Sequence, residues 1–545
     1  MTSVFDVGSS ALTSLQRAIA TTGHNIANVS TDGYSRQDVL FSTRNPESMG
    51  GKEFGTGVEI GDVRRAYDQF LTADVISRQS SNGYFSLYAN TAERTDTLLS
   101  DPGTSLTGAL DNFFASMESL ASNPSSMTDR RIVLSEAETL INRFHYLDGR
   151  LSDYATELNA RMKVMEGDIN RYAREIAQLN ESIARVRNSV NGTPNDLLDK
   201  RDLAITKLSK LINVETLSQE DGSINVLIGR GQRLVIGNSA EALSATTEQQ
   251  ADGPIRVFLS APSGSQSEVT ALMIGGEFGG AIDASRNVLD RTRRELGLLA
   301  VGMADTFNEQ HKAGFDLAGT AGANFFGVAE PVVSARDANS GNSQVLATIT
   351  DITALTSASF TLQYTEDGAR ITNNATGEAE LFQAGPVLID GVTLEFTPSN
   401  PELVGDEFLI EPTARAAGDI SLAISEGSEI AAAAEAGGVG DNRNVLSLIS
   451  LGDASPLLSG SSGYRAVYSA TVSNIAVETR SAQANAATED SLLRSAIDRR
   501  DGIVGVNLEE EAANLIRYQQ AYQAAAQVIT AANDAFDTLI RATSR

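Results

Sequence analysis

The chain has 545 residues, 42 of them basic and 70 acidic, for a formal charge of −28, and it has no cysteine. Duplex nucleic acid and anionic membranes select basic surfaces, so neither is expected as the main partner. Disulfides, thiolate chemistry and cysteine–zinc sites are excluded, and at roughly 150 residues per domain the length implies three or four units.

Residues 1–16 contain no Lys or Arg, so the positively charged start of a secretory leader is missing. No apolar run approaches the roughly 18 residues of a membrane span. Residues 1–28 read as a helix, with Leu12, Leu15, Ile19, Thr22 and Ile26 at 3–4 spacing. From Asn28 to Gly61 the chain breaks up. Asp32-Gly33, Asn45-Pro46, Gly50-Gly51, Gly55 and Gly57 are turn signals, with Val58–Ile60 a possible strand. Helix resumes near Asp68.

The strongest internal helix runs from about Arg131 to Val190. Phe144, Leu147, Leu151, Tyr154, Leu158 and Met165 mark its first half. Ile169, Tyr172, Ile176, Leu179, Ile183, Val186 and Val190 mark the second, with a phase shift expected near Met162. The marked stretch alone predicts a rod of about 70 Å, a shape suited to elongated subunits. Asn191-Gly192-Thr193-Pro194 should end it, and a second helix follows to about Leu211, antiparallel to the first.

Strand patterns come next. Val214–Leu217 and Ile224–Ile228 flank Asp221-Gly222 as a hairpin, and Arg233–Ile236 and Ile255–Leu259 continue it. Gly229-Arg230-Gly231 and Gly275-Gly276 with Gly279-Gly280 fit no phosphate-binding fingerprint and read as turns. A helix is predicted from Ala281 to about His311, on Leu289, Leu296 and Leu299. Residues 328–415 form a second β-rich block, predicted as a small sandwich or barrel: Val345–Ile349, Ser359–Tyr364, Leu381–Phe382, Val387–Ile389 and Thr393–Phe396. The alanine-rich stretch 431–440 reads as a hinge into a helix over 461–495, and Gly502–Gly505 as the break before the last helix.

That last helix carries five heptads: Leu508, Leu515, Tyr522, Ile529 and Phe536, with Ala512, Gln519, Ala526, Asn533 and Ile540 four residues after each. Such a seam needs a partner helix, and the N-terminal helix offers a matching one. Gln519 and Asn533 are candidate register-setting polar positions. Glu509, Glu510 and Glu511 suit the positive end of the helix dipole. Catalytic signals are weak. His24, His145 and His311 lie far apart without metal-ligand spacing, and neither Ser9-Ser10 nor Ser461-Ser462 has a nearby base. No catalytic, cofactor or metal residue is predicted.

The segment Gly23-His24-Asn25-Ile26-Ala27-Asn28-Val29-Ser30-Thr31-Asp32-Gly33-Tyr34-Ser35-Arg36-Gln37 resembles the signature of the flagellar rod, hook and hook-associated axial proteins. Gly505-Val506-Asn507-Leu508-Glu509-Glu510-Glu511 and Leu515 through Ala524 resemble the other end of the same family, as do Asp196-Leu197-Leu198-Asp199-Lys200-Arg201-Asp202, Asn308–His311 and Asn324–Gly327 in the middle. Gly33-Tyr34-Ser35-Arg36-Gln37, together with the long helices of 131–211, is most similar to the family's hook–filament junction members. The motif residues carried over are Asn25, Ile26, Asn28, Gly33, Tyr34 and Arg36.

The resemblance implies an α+β, multidomain, elongated subunit whose N- and C-terminal helices pair as a coiled coil. The implied units are 1–60 with 500–545 as the axial core; 61–212 with 281–327 and 415–499 as a long-helix bundle; 213–280 as a small β-rich segment; and 328–414 as an outer β domain. It implies a structural part of the bacterial flagellum, outside the cell at the hook–filament junction, reached by type III export after a transient cytoplasmic stage. Implied partners are copies of the chain in a helical ring, hook protein, a second junction protein next to the filament, and an export chaperone on the C-terminal helix. The seam facing subunits or chaperone would be Leu12, Leu15, Ile19, Ile26, Leu508, Leu515, Tyr522, Ile529, Phe536 and Ile540. Two alternatives remain open: a hook or distal-rod subunit, and a secreted enzyme or adhesin with flagellar-type ends whose activity would use Asp337, Asp351, Glu366, Asp367 and Asp390.

Overall fold

The computed structural model describes residues 2–49, 52–189, 193–247, 253–340, 342–398 and 403–543. The fold is α+β, multidomain and elongated, as the sequence predicts. Eleven α-helices are described. They are α1 (Thr2–Ala27), α2 (Gln69–Ser100), α3 (Leu106–Ser122), α4 (Met127–Ser189), α5 (Asn195–Leu211), α6 (Gly276–Ala284), α7 (Arg291–Lys312), the single turn α8 (Ala416–Asp419), α9 (Arg443–Ser450), α10 (Tyr464–Val504) and α11 (Leu508–Thr543). Among the described residues, none is long and apolar enough to cross a membrane.

Two long antiparallel helices, α2 and α10, run along the body. Asp68 caps α2 by accepting from the amides of Phe70 and Leu71. The helix then runs beside α10, tied by Arg499–Asp74 (2.8 Å), Tyr88 to Glu478 (2.8 Å) and Tyr468 to the Leu99 carbonyl (2.9 Å). Phe113, Phe307, Phe325 and Phe326 cluster in the middle of the core with ring centres 4.8–6.1 Å apart and planes tilted toward edge-to-face, a geometry aromatic rings prefer.

Helix α4 has 63 residues, about 95 Å of rod. No phase shift occurs at Met162. The buried stripe runs without a break through Phe144, Leu147, Leu151, Ala155, Leu158, Met162, Met165, Ile169, Ala173, Ile176 and Ile183. The small Ala155 and Ala173 carry the stripe, while the larger Tyr154 and Tyr172 next to them lie at its half-buried edge. Asn180, also buried, replaces Leu179 on it. It donates to the Ile224 and Gly237 carbonyls and accepts from the Ile224 amide, while Asn170 does the same for both backbone groups of Leu243. The far half of α4 therefore satisfies strand edges with amide side chains, which an apolar stripe could not do. Val190, Asn191 and Gly192, the expected end of this helix, lie outside the described residues, as do Gly50 and Gly51.

Two small sheets lie against that half: Val214–Ser218, Ile224–Ile228, Gln232–Ile236 and Ser239–Ala240; and Gln266–Glu268, Ile255–Ser260 and Ala242–Thr247. The outer block is a sandwich of five and three strands. Three of its strands, Val332–Ala335, Gly368–Asn373 and Glu407–Glu411, add to those the sequence predicts; Ser, Arg, Asn and Glu within or beside them obscure their patterns.

Three expectations fail, the first two because of close packing. Gly276, Gly279 and Gly280 are helical rather than turns, and the helix starts at Gly276, ahead of Ala281. A Cβ on Gly280 would lie 3.0 Å from Tyr84 Cα, and one on Gly276 would strike the Ile212 backbone, so these glycines let α6 touch α2 and α5. The stretch 431–440 is no free hinge. Ala431, Ala432 and Ala433 are buried, and Ala433 exchanges backbone hydrogen bonds with Phe315. Gly502 continues α10, which extends to Val504 rather than stopping near Ser495, and the break comes only at Gly505.

His311 gives this core a pH dependence. It is fully buried. Its Nδ1 lies 2.7 Å from the Ala323 carbonyl, and Nε2 accepts the Ala431 amide at 2.9 Å, so the ring is neutral. Burial lowers its pKa, and the Ala323 carbonyl only partly offsets this. A folded pKa below the unfolded value of about 6.5 means the contribution is complete above pH 6.5 and is lost as pH falls below it. Asp290 acts oppositely: desolvation pushes its carboxyl up to about 7. The His311 contribution is therefore read as a difference. Between pH 7 and pH 5 the melting temperature of the chain should fall more than that of His311→Gln. Equal slopes would show that the imidazole does not titrate on unfolding.

Candidate functional site

The two ends of the chain meet the body at one polar hub, and Asn25 is its centre. Asn25 is 1% exposed. Its Nδ2 donates to the Gln37 carbonyl (2.9 Å) and to Glu511 (3.1 Å); its Oδ1 accepts from the Gln37 amide (3.0 Å) and the Tyr34 hydroxyl (2.7 Å). Two donors and two acceptor sites are all that an amide side chain offers, and all are filled. Asn28 ends α1 by donating from Nδ2 to the His24 carbonyl (3.0 Å) and accepting from Thr31. Gly33 follows at φ +76, where a Cβ would lie 2.9 Å from Leu203 Cβ. The position needs glycine for both its dihedral and its space.

From this turn the next residues fan out to different elements. The Ser35 amide donates to Asp199 (3.1 Å). The Arg36 amide donates to the Val504 carbonyl at the end of α10 (2.9 Å), and its Nη1 reaches Glu510 on α11 (2.9 Å). Gln37 donates to Asp196 (3.0 Å) and accepts from Asn195 (3.3 Å). Beneath them Arg65 bridges Asp199 (3.0 Å) and Asp202 (2.7 Å), all three side chains largely buried. Burial raises the pKa of Asp199 despite the Ser35 and Arg65 donors, and it likewise raises those of Glu511 and Tyr34. Asn507 caps α11 by accepting from the Glu509 amide (3.0 Å).

Beyond the hub, α1 and α11 run antiparallel. Gly8 lies against Ile529, where a Cβ would meet Ile529 Cγ1 at 2.6 Å, and Phe41 of the flanking hairpin packs on Tyr518 with ring centres 6.1 Å apart. The face of α1 most removed from solvent holds small or polar groups: Gly8, Ser14, Ala18, Thr22 and Asn25. Leu12, Leu15, Ile19 and Ile26 are half-buried. Leu515 and Ile529 are half-buried too, whereas Leu508, Tyr522, Phe536 and Ile540 are exposed, Phe536 by 52%.

Residues 92–326 match the flagellar hook-associated protein FlgK helical domain, 5–34 the flagella basal body rod protein family, and 503–542 the flagellar basal body rod FlgEFG protein C-terminal family. The chain is 32% identical to the flagellar hook-associated protein 1 of Escherichia coli K12, over 99% of this chain and 100% of that protein. It belongs to the flagellar hook-associated protein 1 family. The Bacillus subtilis 168 member is 26% identical over 99% of this chain and 98% of its own. The fold matches that of the flagellar hook junction protein FlgK from Burkholderia pseudomallei with a TM-score of 0.72, at 22% identity, covering 78% of this chain and 99% of that one.

Within this hook-associated chain the hub gathers Asn25, Asn28, Gly33, Tyr34 and Arg36. Ile26 lies half-buried on α1 beside them and makes no polar contact. The heptad phase of α11 differs from expectation. Glu511 is buried, and Tyr518, Ala525 and Ala532 are half-buried with Leu515 and Ile529, whereas Ala512, Gln519 and Asn533 face solvent. The side turned from solvent favours positions three residues after the first set over those four after it, although Ala526 of the latter is half-buried, and Gln519 and Asn533 set no register within the subunit. Arg65, Asn195, Asp199, Asp202, Glu510 and Glu511 belong to the hub without having been assigned to it, although Asp199, Asp202, Glu510 and Glu511 lie in family-like segments. The signal was there in Asp196, Asp199 and Asp202, whose spacing puts three carboxylates on one helix face. Of the carboxylates considered for an enzyme, Asp351 accepts locally from Thr353 and Asp390 from Asn373. No cluster of metal-ligating side chains occurs among the described residues.

Proposed function

We propose that the chain is a structural subunit joining hook to filament, assembled at the distal hook end after type III export. Full-length kinship with hook-associated protein 1 carries this reading. The kinship extends through the 92–326 helical domain, beyond the terminal segments matched to rod proteins. In this reading the units are those expected above: 1–60 with 500–545 as axial core, 61–212 with 281–327 and 415–499 as bundle, and the β parts 213–280 and 328–414. The exposed Leu508, Tyr522, Phe536 and Ile540 face copies of the chain in a helical ring, with hook protein on one side and a second junction protein on the other. Before export the same apolar stripe is held by a chaperone, since such stripes aggregate when bare. The chain acts by contact rather than catalysis.

The chain has no native cysteine, so a thiol label at Glu366→Cys, in an exposed turn of the outer sandwich, reports its location. One labelled band between hook and filament is expected. Label along the hook or in the rod would overturn the reading. Ile529→Asp places a carboxylate against Gly8 at a cost of about 2–4 kcal/mol to the terminal pair. It should abolish motility while the body keeps its melting temperature; normal swimming would refute the seam.

A further inference from the structure

We propose that Arg256, Glu268, Arg336 and Glu407 form an electrostatic clamp that fixes the orientation of the outer sandwich on the inner β unit. Arg256 and Glu268 stand on neighbouring strands of the inner three-stranded sheet; Arg336 and Glu407 stand at paired strand ends of the sandwich. Arg256 reaches Glu268 (3.3 Å) and Glu407 (3.4 Å); Arg336 reaches Glu407 (3.2 Å) and Glu268. Each guanidinium bridges both carboxylates, so charge alternates around a four-membered ring. The side chains are only 17–26% exposed, which strengthens the pairing relative to a surface ion pair.

Each half of the ring is fixed within its own unit. Glu407 exchanges backbone bonds with the Asn339 side chain and accepts the Arg336 amide (3.1 Å), while Glu268 also accepts from Thr270 (3.0 Å). Among the described residues, no sheet is shared between the two units. The sandwich is otherwise seated on the helical bundle, where Gly297 of α7 touches the Thr413 carbonyl, Arg294 donates to the Ser357 carbonyl (3.0 Å) and the Ser459 amide donates to the Thr353 carbonyl (2.5 Å). One seat is a pivot; a second point of attachment sets an angle.

Charge shows why that second point matters. Residues 328–414 hold 13 acidic and 2 basic residues, and residues 213–280 hold 8 and 3. Two acidic units repel, and the ring supplies local attraction where they meet. Arg336, one of the sandwich's two cations, is used in it.

The full chain, carrying Ser263→Cys and Glu366→Cys in exposed turns of the two units, can be spin-labelled without background and its inter-label distance distribution measured. The wild-type ring should give one narrow population. Arg336→Glu with Glu407→Arg keeps the pair within the sandwich but makes both cross-unit contacts repulsive, and it should broaden and lengthen the distribution. Arg256→Glu with Glu268→Arg should do the same from the other side. All four changes together restore alternation and should restore the narrow population. Unchanged distances in either double variant, or failure of the fourfold variant to recover while the doubles keep wild-type circular dichroism, would overturn the clamp. If a reversal disturbs folding, Arg336→Met gives the milder version of the same test, and broadening is again required.

Discussion

Asn25→Ala should separate the terminal helices from the body and stop filament growth while leaving the rest of the subunit folded. The substitution deletes four hydrogen bonds at a site shut off from water. It strands the Gln37 amide and carbonyl, the Tyr34 hydroxyl and Glu511. A buried partner left unmatched costs about 1–3 kcal/mol, and with some relaxation the total should be roughly 3–5 kcal/mol. None of these residues belongs to the main apolar cluster, so the melting transition of the body should stay within experimental error. Asn25→Asp sharpens the test. It keeps the acceptor oxygen but sets a carboxylate beside Glu511, whose own pKa burial already raises. It should be no milder than alanine, and a swimming Asn25→Asp strain would contradict the hub geometry.

Arg65→Ala should be comparably severe, with a pH signature. Removing the cation leaves Asp199 and Asp202 facing each other largely buried, and breaking a buried pair costs about 3–5 kcal/mol. Burial already raises the Asp199 pKa with Arg65 present, and losing Arg65 raises it further. A carboxyl whose folded pKa exceeds its unfolded value favours the fold below that folded pKa and penalises it as pH rises through it. The Arg65→Ala defect should therefore be larger at pH 7.5 than at pH 5, read as the difference in protease resistance of residues 28–66 between variant and parent. Arg65→Lys keeps the charge but cannot fork to two carboxylates and should recover only part of the loss. A defect independent of pH would remove Asp199 from the explanation.

The sequence was legible where periodicity is dense and illegible where small or polar residues do the packing. Ile169, Ile176 and Ile183 announce α4. Ala155 and Ala173 hide its continuity, because alanine reads as neutral although both are fully buried. Leu515 and Ile529 announce α11, but Glu511 looks like a solvent-facing dipole partner until it is seen to accept from Asn25. The buried face of α1 is invisible to hydropathy, since Gly8, Ser14 and Thr22 contribute closeness rather than apolar area. Glycine misleads in the opposite direction. Gly276 and Gly280 resemble turn signals, yet they lie within a helix because another backbone occupies the space of their missing Cβ. At the hub, Asn25–Gln37 and Asp196–Asp202 could be recognised separately as motifs. Their meeting is tertiary, across more than 150 residues of chain, and no local pattern encodes it.

Deletion of the chain followed by electron microscopy of the cell surface is the most direct measurement of the junction role. Complete hooks without filaments, with filament protein shed into the medium, are the predicted result. Absent hooks would assign the chain to the rod or hook instead, and normal filaments would contradict a junction role altogether.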